Sequence, residues 1–234
     1  MNRASDSRTH RRRFVSGARQ TLPIVFGYLP VGFAYGVLAD KTGLSSFNTV
    51  LMSIIVFAGS AQLIAVSLIG AAAPVLSIIV TTFIVNLRHL LMSAALSPYL
   101  RGWPRRHVAA FTFELTDETF ALHSTRMPGG ADKVETFAIN LTAQASWVAG
   151  TILGVAASGL IADITPIGLD YALPAMFIAL LIMQVSSVTH GLVAIAGGLL
   201  SVALALAGAD RWNVVIATIL AATIGLGIWR WTRE

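Results

Sequence analysis

The sequence predicts an all-α polytopic membrane protein with seven or eight transmembrane helices, and three observations predict it. Of 234 residues, 56% are hydrophobic and only 12% are charged, where soluble domains carry roughly a quarter charged residues. The mean hydropathy is +0.75. Seven apolar stretches, at about 22–39, 47–69, 74–96, 137–161, 172–189, 190–208 and 212–231, each have the length needed to cross about 30 Å of hydrocarbon. Such segments must be helical, because a lone strand in lipid leaves its backbone groups without partners. The chain has no cysteine, which excludes disulfides, thiol redox chemistry and cysteine-ligated metals.

Residues 1–20 form a basic tail. Arg3, Arg8, Arg11, Arg12, Arg13 and Arg19 precede the first apolar run, and Arg230 and Arg233 follow the last. The net charge of +5 is thus concentrated at the ends, as in the cytoplasmic flanks of a multi-pass cell-membrane protein, and not as in a nucleic-acid surface. The stretch THRRRF has a local likeness to a twin-arginine export signal. The run after it contains a proline and leads into more spans, with no small-residue cleavage site. Residues 21–234 read as a single transmembrane domain, with halves at about 21–100 and 137–234 joined by an amphipathic segment, 101–136.

The first span holds Pro23 and Pro30 with Gly27, Gly32 and Gly36. A proline in mid-helix removes an amide donor and clashes with the carbonyl four residues back, so one reading is a broken first helix that exposes backbone groups to a buried cavity. An ordinary kink with small residues for close packing is the competing reading. The second span carries FAGSAQL, where Gly59 and Ser60 permit close approach and Gln62 requires partners, either a neighbouring helix or a substrate.

The third span is the most informative. Asn86, Arg88 and His89 lie inside a continuous apolar run, and an arginine near the bilayer centre costs at least about 2.5 kcal/mol, so it faces the bundle interior with a partner. Its guanidinium suits a carboxylate of the protein or of a substrate, and His89 can change charge near neutral pH. At helical spacing Thr82, Asn86 and His89 share a face, with Arg88 about 100° away from His89.

Between the halves, RGWPRR and PGG mark two polar corners, and residues 107–123 are helix-competent. Glu114, Asp117 and Glu118 would form one acidic stripe on such a helix, placed to pair with Arg88 if it enters the bundle and solvated if it does not. Seven spans leave Arg101, Arg105, Arg106, Arg126, Lys133, Arg230 and Arg233 outside, against the positive-inside rule. An eighth crossing by 107–123 improves the count, and a re-entrant or broken helix among the first three also moves the RGWPRR corner inside. A possible internal repeat relates 34–42 to 157–165, with five identities in nine at an offset of 123 residues, and Gln184 loosely mirrors Gln62. Duplicated halves are common in transporters, and chance among small residues is the alternative.

LPVGFAYG, FAGSAQ, NLRH, the LSP at Leu96–Pro98 and LTDETFAL, in this order and spacing, resemble the AzlC family over residues 20–125. The second half matches mainly in hydropathy and length. The resemblance implies the large subunit of a secondary exporter of leucine, isoleucine, valine and analogues such as azaleucine, driven by the proton gradient and working with a small AzlD-type membrane subunit. No cofactor is implied. A branched-chain amino acid needs a cation or helix N-terminus for its carboxylate, acceptors for its ammonium and an apolar pocket for its side chain. Candidates are Arg88 or the segment around Pro30, Gly32 and Gly36 for the first, Asp117, Glu118 or freed carbonyls for the second, and Phe33 and Phe57 for the third; Gly59, Ser60, Gln62, Asn86 and His89 complete the set. The rival class is an intramembrane hydrolase using Ser60 with His89 or His190, but no HExxH or GxSxG motif accompanies them. An ATP-driven pump is disfavoured because Lys41 and Lys133 are the only lysines and neither lies in a phosphate-binding loop. Another small zwitterion remains an alternative substrate.

Overall fold

The structure is a computed structural model that describes all residues except 1–2, 165, 167, 169–170, 172–173, 177, 179–180, 183–184, 186, 209–212 and 232–234. Among the described residues every regular element is helical. The chain forms two compact units, Met1–Met176 and Phe177–Glu234.

The frame of the first unit is a parallel helix pair. Helix α1 (Arg3–Gln20) leads through Thr21 into α2 (Leu22–Lys41), and both lie along α8 (Lys133–Ser158). The contacts advance in step. Arg13 pairs with Asp132 at 2.7 Å, Gly32 faces Gly150, Gly36 faces Gly154, and Ser158 donates to Asp40. A Cβ on Gly32 would stand 2.8 Å from the Trp147 carbonyl oxygen, and one on Gly150 would stand 2.6 Å from that of Leu29. Small residues on both helices let the backbones touch, which is how helices associate where lipid removes the hydrophobic drive.

The expected broken first helix is therefore corrected: α2 is one helix, with Pro30 inside it. Packing on α8 at Gly32 and Gly36 holds the axis just beyond Pro30, and neighbouring helices of this kind are what make proline tolerable within membrane helices.

The break lies in the second apolar run instead. Helices α3 (Ser46–Ile55) and α4 (Gly59–Gly70) flank residues 56–58, where Phe57 takes a φ of +42°. The two helices double back. Ser45 caps α3 just after α2 ends, the tip brings Phe57 to a ring distance of 6.3 Å from Tyr28 midway down α2, and α4 climbs until Gly70 lies against Thr42. Both ends of this hairpin thus sit at the C-terminal end of α2.

Helix α5 (Val75–Leu96) descends the other way and closes in a 3-10 turn, Ser97–Leu100. Trp103 follows, beside the start of α8, with the Lys133 ammonium 5.5 Å from its ring and Phe137 5.9 Å away. A second hairpin then rises from this opposite end. Helix α6 (Arg105–Phe113) climbs to a tip at Glu114–Thr116, level with Tyr28, and α7 (Asp117–Arg126) returns until Arg126 meets Glu135 at 3.4 Å. The single helix expected over 107–123 is accordingly two, and Glu114 leaves the acidic stripe. The cause is local: Thr116 and Thr119 form a capping box that starts a new helix at Asp117.

In the second unit α9 (Val188–Leu206) and α10 (Asn213–Trp231) pack antiparallel, with Gly225 against Val193 and Gly197 against Ala221. His190 belongs to the first turn of α9, where its amide is capped by Ser187, and not to an interhelical turn. Gln184, Asp170, Asp210, Thr165 and part of the expected span 172–189 lie outside the described residues. Among the described residues three helices are long and apolar enough to cross a membrane: Leu22–Lys41, Val75–Leu100 and Val188–Leu206.

Candidate functional site

The two hairpin tips meet at Arg88. Its NH1 lies 2.7 Å from Asp117 Oδ2, and its NH2 donates to Ser60 Oγ. Ser60 is in the first turn of α4 and Asp117 is the first residue of α7. Each helix begins halfway along the frame, so its unpaired amides and the positive end of its dipole point into the middle of the unit. Helix α4 starts without a side-chain cap. A cation between two positive helix ends is unfavourable by itself, and the carboxylates of Asp117 and Glu118 offset it. The Arg88 side chain is 26% exposed and that of Asp117 14%, while Arg88 Nε is buried without a partner.

Tyr28 of α2 binds the second tip. Its hydroxyl donates to Glu118 Oε2 at 2.6 Å and lies 2.7 Å from Thr116 Oγ1. The first tip is held by Trp147 of α8, whose ring occupies the space a Cβ on Gly59 would need, 2.8 Å away. Trp147 Nε1 donates to Gln62 Oε1 at 3.1 Å, Gln62 Nε2 donates to Ser53 Oγ at 3.2 Å, and Ser53 lies 2.8 Å from Thr151 Oγ1. Every member of this chain is buried, so each hydrogen bond replaces one that water cannot supply.

Of the residues singled out in the sequence, Ser60, Arg88, Asp117 and Glu118 come together with the tips, and Gly59 and Gln62 support the first tip. Gly32 and Gly36 face α8, and Pro30 lies within α2. His89 Nδ1 sits 3.2 Å from the Asn86 carbonyl of its own helix, and Asn86 Oδ1 is buried without a partner. Ser60 is engaged by Arg88, and His89 Nδ1 by its own backbone. Phe57 is buried at the first tip. Sequence reasoning missed Tyr28, Thr116 and Trp147. Thr116 had a readable signal, a Thr followed by two acidic residues; for Tyr28 and Trp147 the signal was an aromatic with a polar end inside an apolar run, which must find a partner when buried.

The family model described as "AzlC protein" matches residues 23–161. The chain belongs to the AzlC family. That match takes in α2, both hairpins, α5 and α8, and leaves out the basic tail and the second unit. Among AzlC-like relatives, the inner membrane protein YgaZ of Escherichia coli K12 is 29% identical over 91% of this chain and 87% of its own length. An uncharacterized membrane protein of Archaeoglobus fulgidus is 32% identical over 88% of this chain and 91% of its own. The branched-chain amino acid transport protein AzlC of Bacillus subtilis is 32% identical over 73% of this chain and 67% of its own. No solved structure matches the chain. With these relatives and its apolar helices, this AzlC-family chain is a membrane protein.

Proposed function

We propose that the chain is the large subunit of a secondary transporter that exports branched-chain amino acids, coupled to protons and paired with a small AzlD-like membrane subunit. The observation that carries this reading is Arg88, held between the N-termini of two half-helices at mid-depth. An amino-acid carboxylate entering there replaces Asp117 on the guanidinium and takes the uncapped amides of α4, and Asp117 and Glu118 are then released to hold the ammonium. The relative from Bacillus subtilis, by its printed name a branched-chain amino acid transport protein, supports the choice of side chain, and Phe57 beside the site is apolar.

The architecture supports alternating access. Helices α2, α5 and α8 are read as crossings and the two hairpins as re-entrant segments from opposite faces, so either hairpin can admit substrate from its own side. In that topology Arg11, Arg12, Arg13, Arg19, Arg101, Arg105, Arg106, Arg126 and Lys133 share one face of the first unit and Lys41 stands on the other. The positive-inside rule then assigns the basic face to the cytoplasm, with the N-terminus. Total span count stays at seven or eight segments, the re-entrant pair included.

The test is efflux of labelled leucine from proteoliposomes holding the chain with and without an AzlD-like partner. Arg88→Gln is expected to reduce flux by about tenfold or more, the scale of a lost charge-assisted hydrogen bond, with unchanged assembly. Flux that survives in Arg88→Gln removes the carboxylate role from Arg88, and efflux of other small zwitterions but no leucine, isoleucine or valine overturns the substrate.

A further inference from the structure

Away from Arg88, the second hairpin carries a buried polar cluster that the substrate site does not use. His123 of α7 is 1% exposed and Asn140 of α8 is 0% exposed, and His123 Nε2 lies 2.7 Å from Asn140 Oδ1. With Nε2 as donor, the amide oxygen is its acceptor. The other end of the same amide, Asn140 Nδ2, is buried without a partner, and so is Glu114 Oε2 at the hairpin tip, an amide donor and a carboxylate acceptor each lacking its complement. Phe111 of α6 covers the imidazole edge-on at 5.1 Å.

The cluster has an access route. His123 lines a cavity of about 390 Å³ at the basic end of the unit, shared with Arg126, Met127, Asp132, Glu135 and Thr136. Charged groups facing His123 are Arg126 from its own helix and, across the cavity, Asp132 and Glu135 at the start of α8, while Phe111 is the α6 side chain packed on it. Arg126 and Glu135 are paired with each other, and Asp132 with Arg13, so the cavity wall carries no uncompensated charge that would hold the imidazole in one state. His107, two turns before Glu114 on α6, is a further titratable group there, with its Nδ1 buried and unpartnered.

We propose that His123, held by Asn140, and Glu114, on the same hairpin, are the proton-binding pair of the transporter. A proton from water in the cavity binds the imidazole while Nε2 keeps its bond to Asn140, and the Glu114 carboxylate of the same hairpin balances the charge. Reorientation of the α6–α7 hairpin carries the pair to the other side, and the proton leaves to water there. Because α7 begins at Asp117 and holds His123 two turns later, proton binding at one end of this helix acts on the Arg88 contact at the other.

This assignment rests on the transport reading, and the experiment separates the two. In proteoliposomes of the full chain with its small partner, labelled-leucine counterflow at equal pH needs substrate binding and reorientation only, whereas movement driven by an imposed pH gradient also needs the proton site. His123→Gln and Glu114→Gln are each expected to keep counterflow near wild type and lose gradient-driven movement by about tenfold, within the usual range of site-to-site coupling. Gradient-driven movement retained in both variants overturns the pair, as does a parallel fall in counterflow, which would make the residues structural. Absence of counterflow in the wild type overturns the transport reading itself and this assignment with it.

Discussion

At the scale of single residues, the glycines of α2 divide by what surrounds them. A Cβ on Gly32 meets backbone atoms of α8, which cannot rotate away, while one on Gly27 meets nothing within 4 Å. Gly32→Ala is therefore expected to destabilise the protein by about 1–3 kcal/mol, the scale of overpacking, and Gly27→Ala to cause no loss, as read by thermal unfolding in detergent. Trp147 offers a polar counterpart. Trp147→Phe preserves most of the ring volume against Gly59 and deletes the donor to Gln62, leaving a buried amide oxygen unpaired at a cost of about 1–3 kcal/mol. A Trp147→Phe protein as stable as wild type would show that the Gln62 contact contributes little. These two roles were only half visible in sequence: Gly32 and Gly36 stood out for their spacing, but the partner glycines 150 and 154 are more than a hundred residues away and no local pattern links them.

At the scale of elements, the turn between α4 and α5 and the tip before α7 make opposite demands. Ala72 holds a φ of +51° in an exposed turn, a conformation that costs an L-residue about 1 kcal/mol and glycine almost nothing. Ala72→Gly should raise stability by roughly that amount, less what glycine adds to unfolded-chain entropy, and a fall in melting temperature would contradict it. Thr116→Val removes the capping box and the neighbour of the Tyr28 hydroxyl together, so a loss of about 0.5–2 kcal/mol is expected, with increased amide exchange confined to the start of α7. Helix against loop was legible because apolar runs and caps are local signals. The run 47–69 nonetheless read as one crossing, since a re-entrant hairpin must satisfy the same hydrocarbon and has the same composition. What distinguishes it is a non-glycine left-handed residue at Phe57 and contact between Gly70 and Thr42, and neither is a property of composition. For the same reason Pro30 drew the break to the wrong helix: proline marks a lost donor, and packing decides whether the axis fails there.

At the scale of the whole molecule, the topology proposed above, in which both hairpins return to the face they left, would remove the charge imbalance that opposed seven simple crossings. The absence of native cysteine allows a direct check. Single cysteines replacing His10, Gly102 and Gly129 should react with a membrane-impermeant thiol reagent from one face, and those replacing Gly43 and Ala72 from the other. Labelling of 43 and 72 from opposite faces would restore a through-going second span and dismantle the hairpin topology. Of the two segments in the sequence match, 34–42 lies almost wholly within α2, whereas 157–165 lies mostly past the end of α8, and Asp40 contacts Ser158.

One side chain, Arg88, grips both tips. A carrier that harvests an ion gradient is ruined by any moment in which its two mouths stand open together, since the gradient then discharges with no cargo moved. With Ser60 on one hairpin and Asp117 on the other tethered to the same guanidinium, withdrawing either hairpin leaves the other still fastened, so under the transport function proposed above the two hairpins would behave as interlocked gates. A variant such as Arg88→Ala, which frees both, should then do more than stop transport: it should leak.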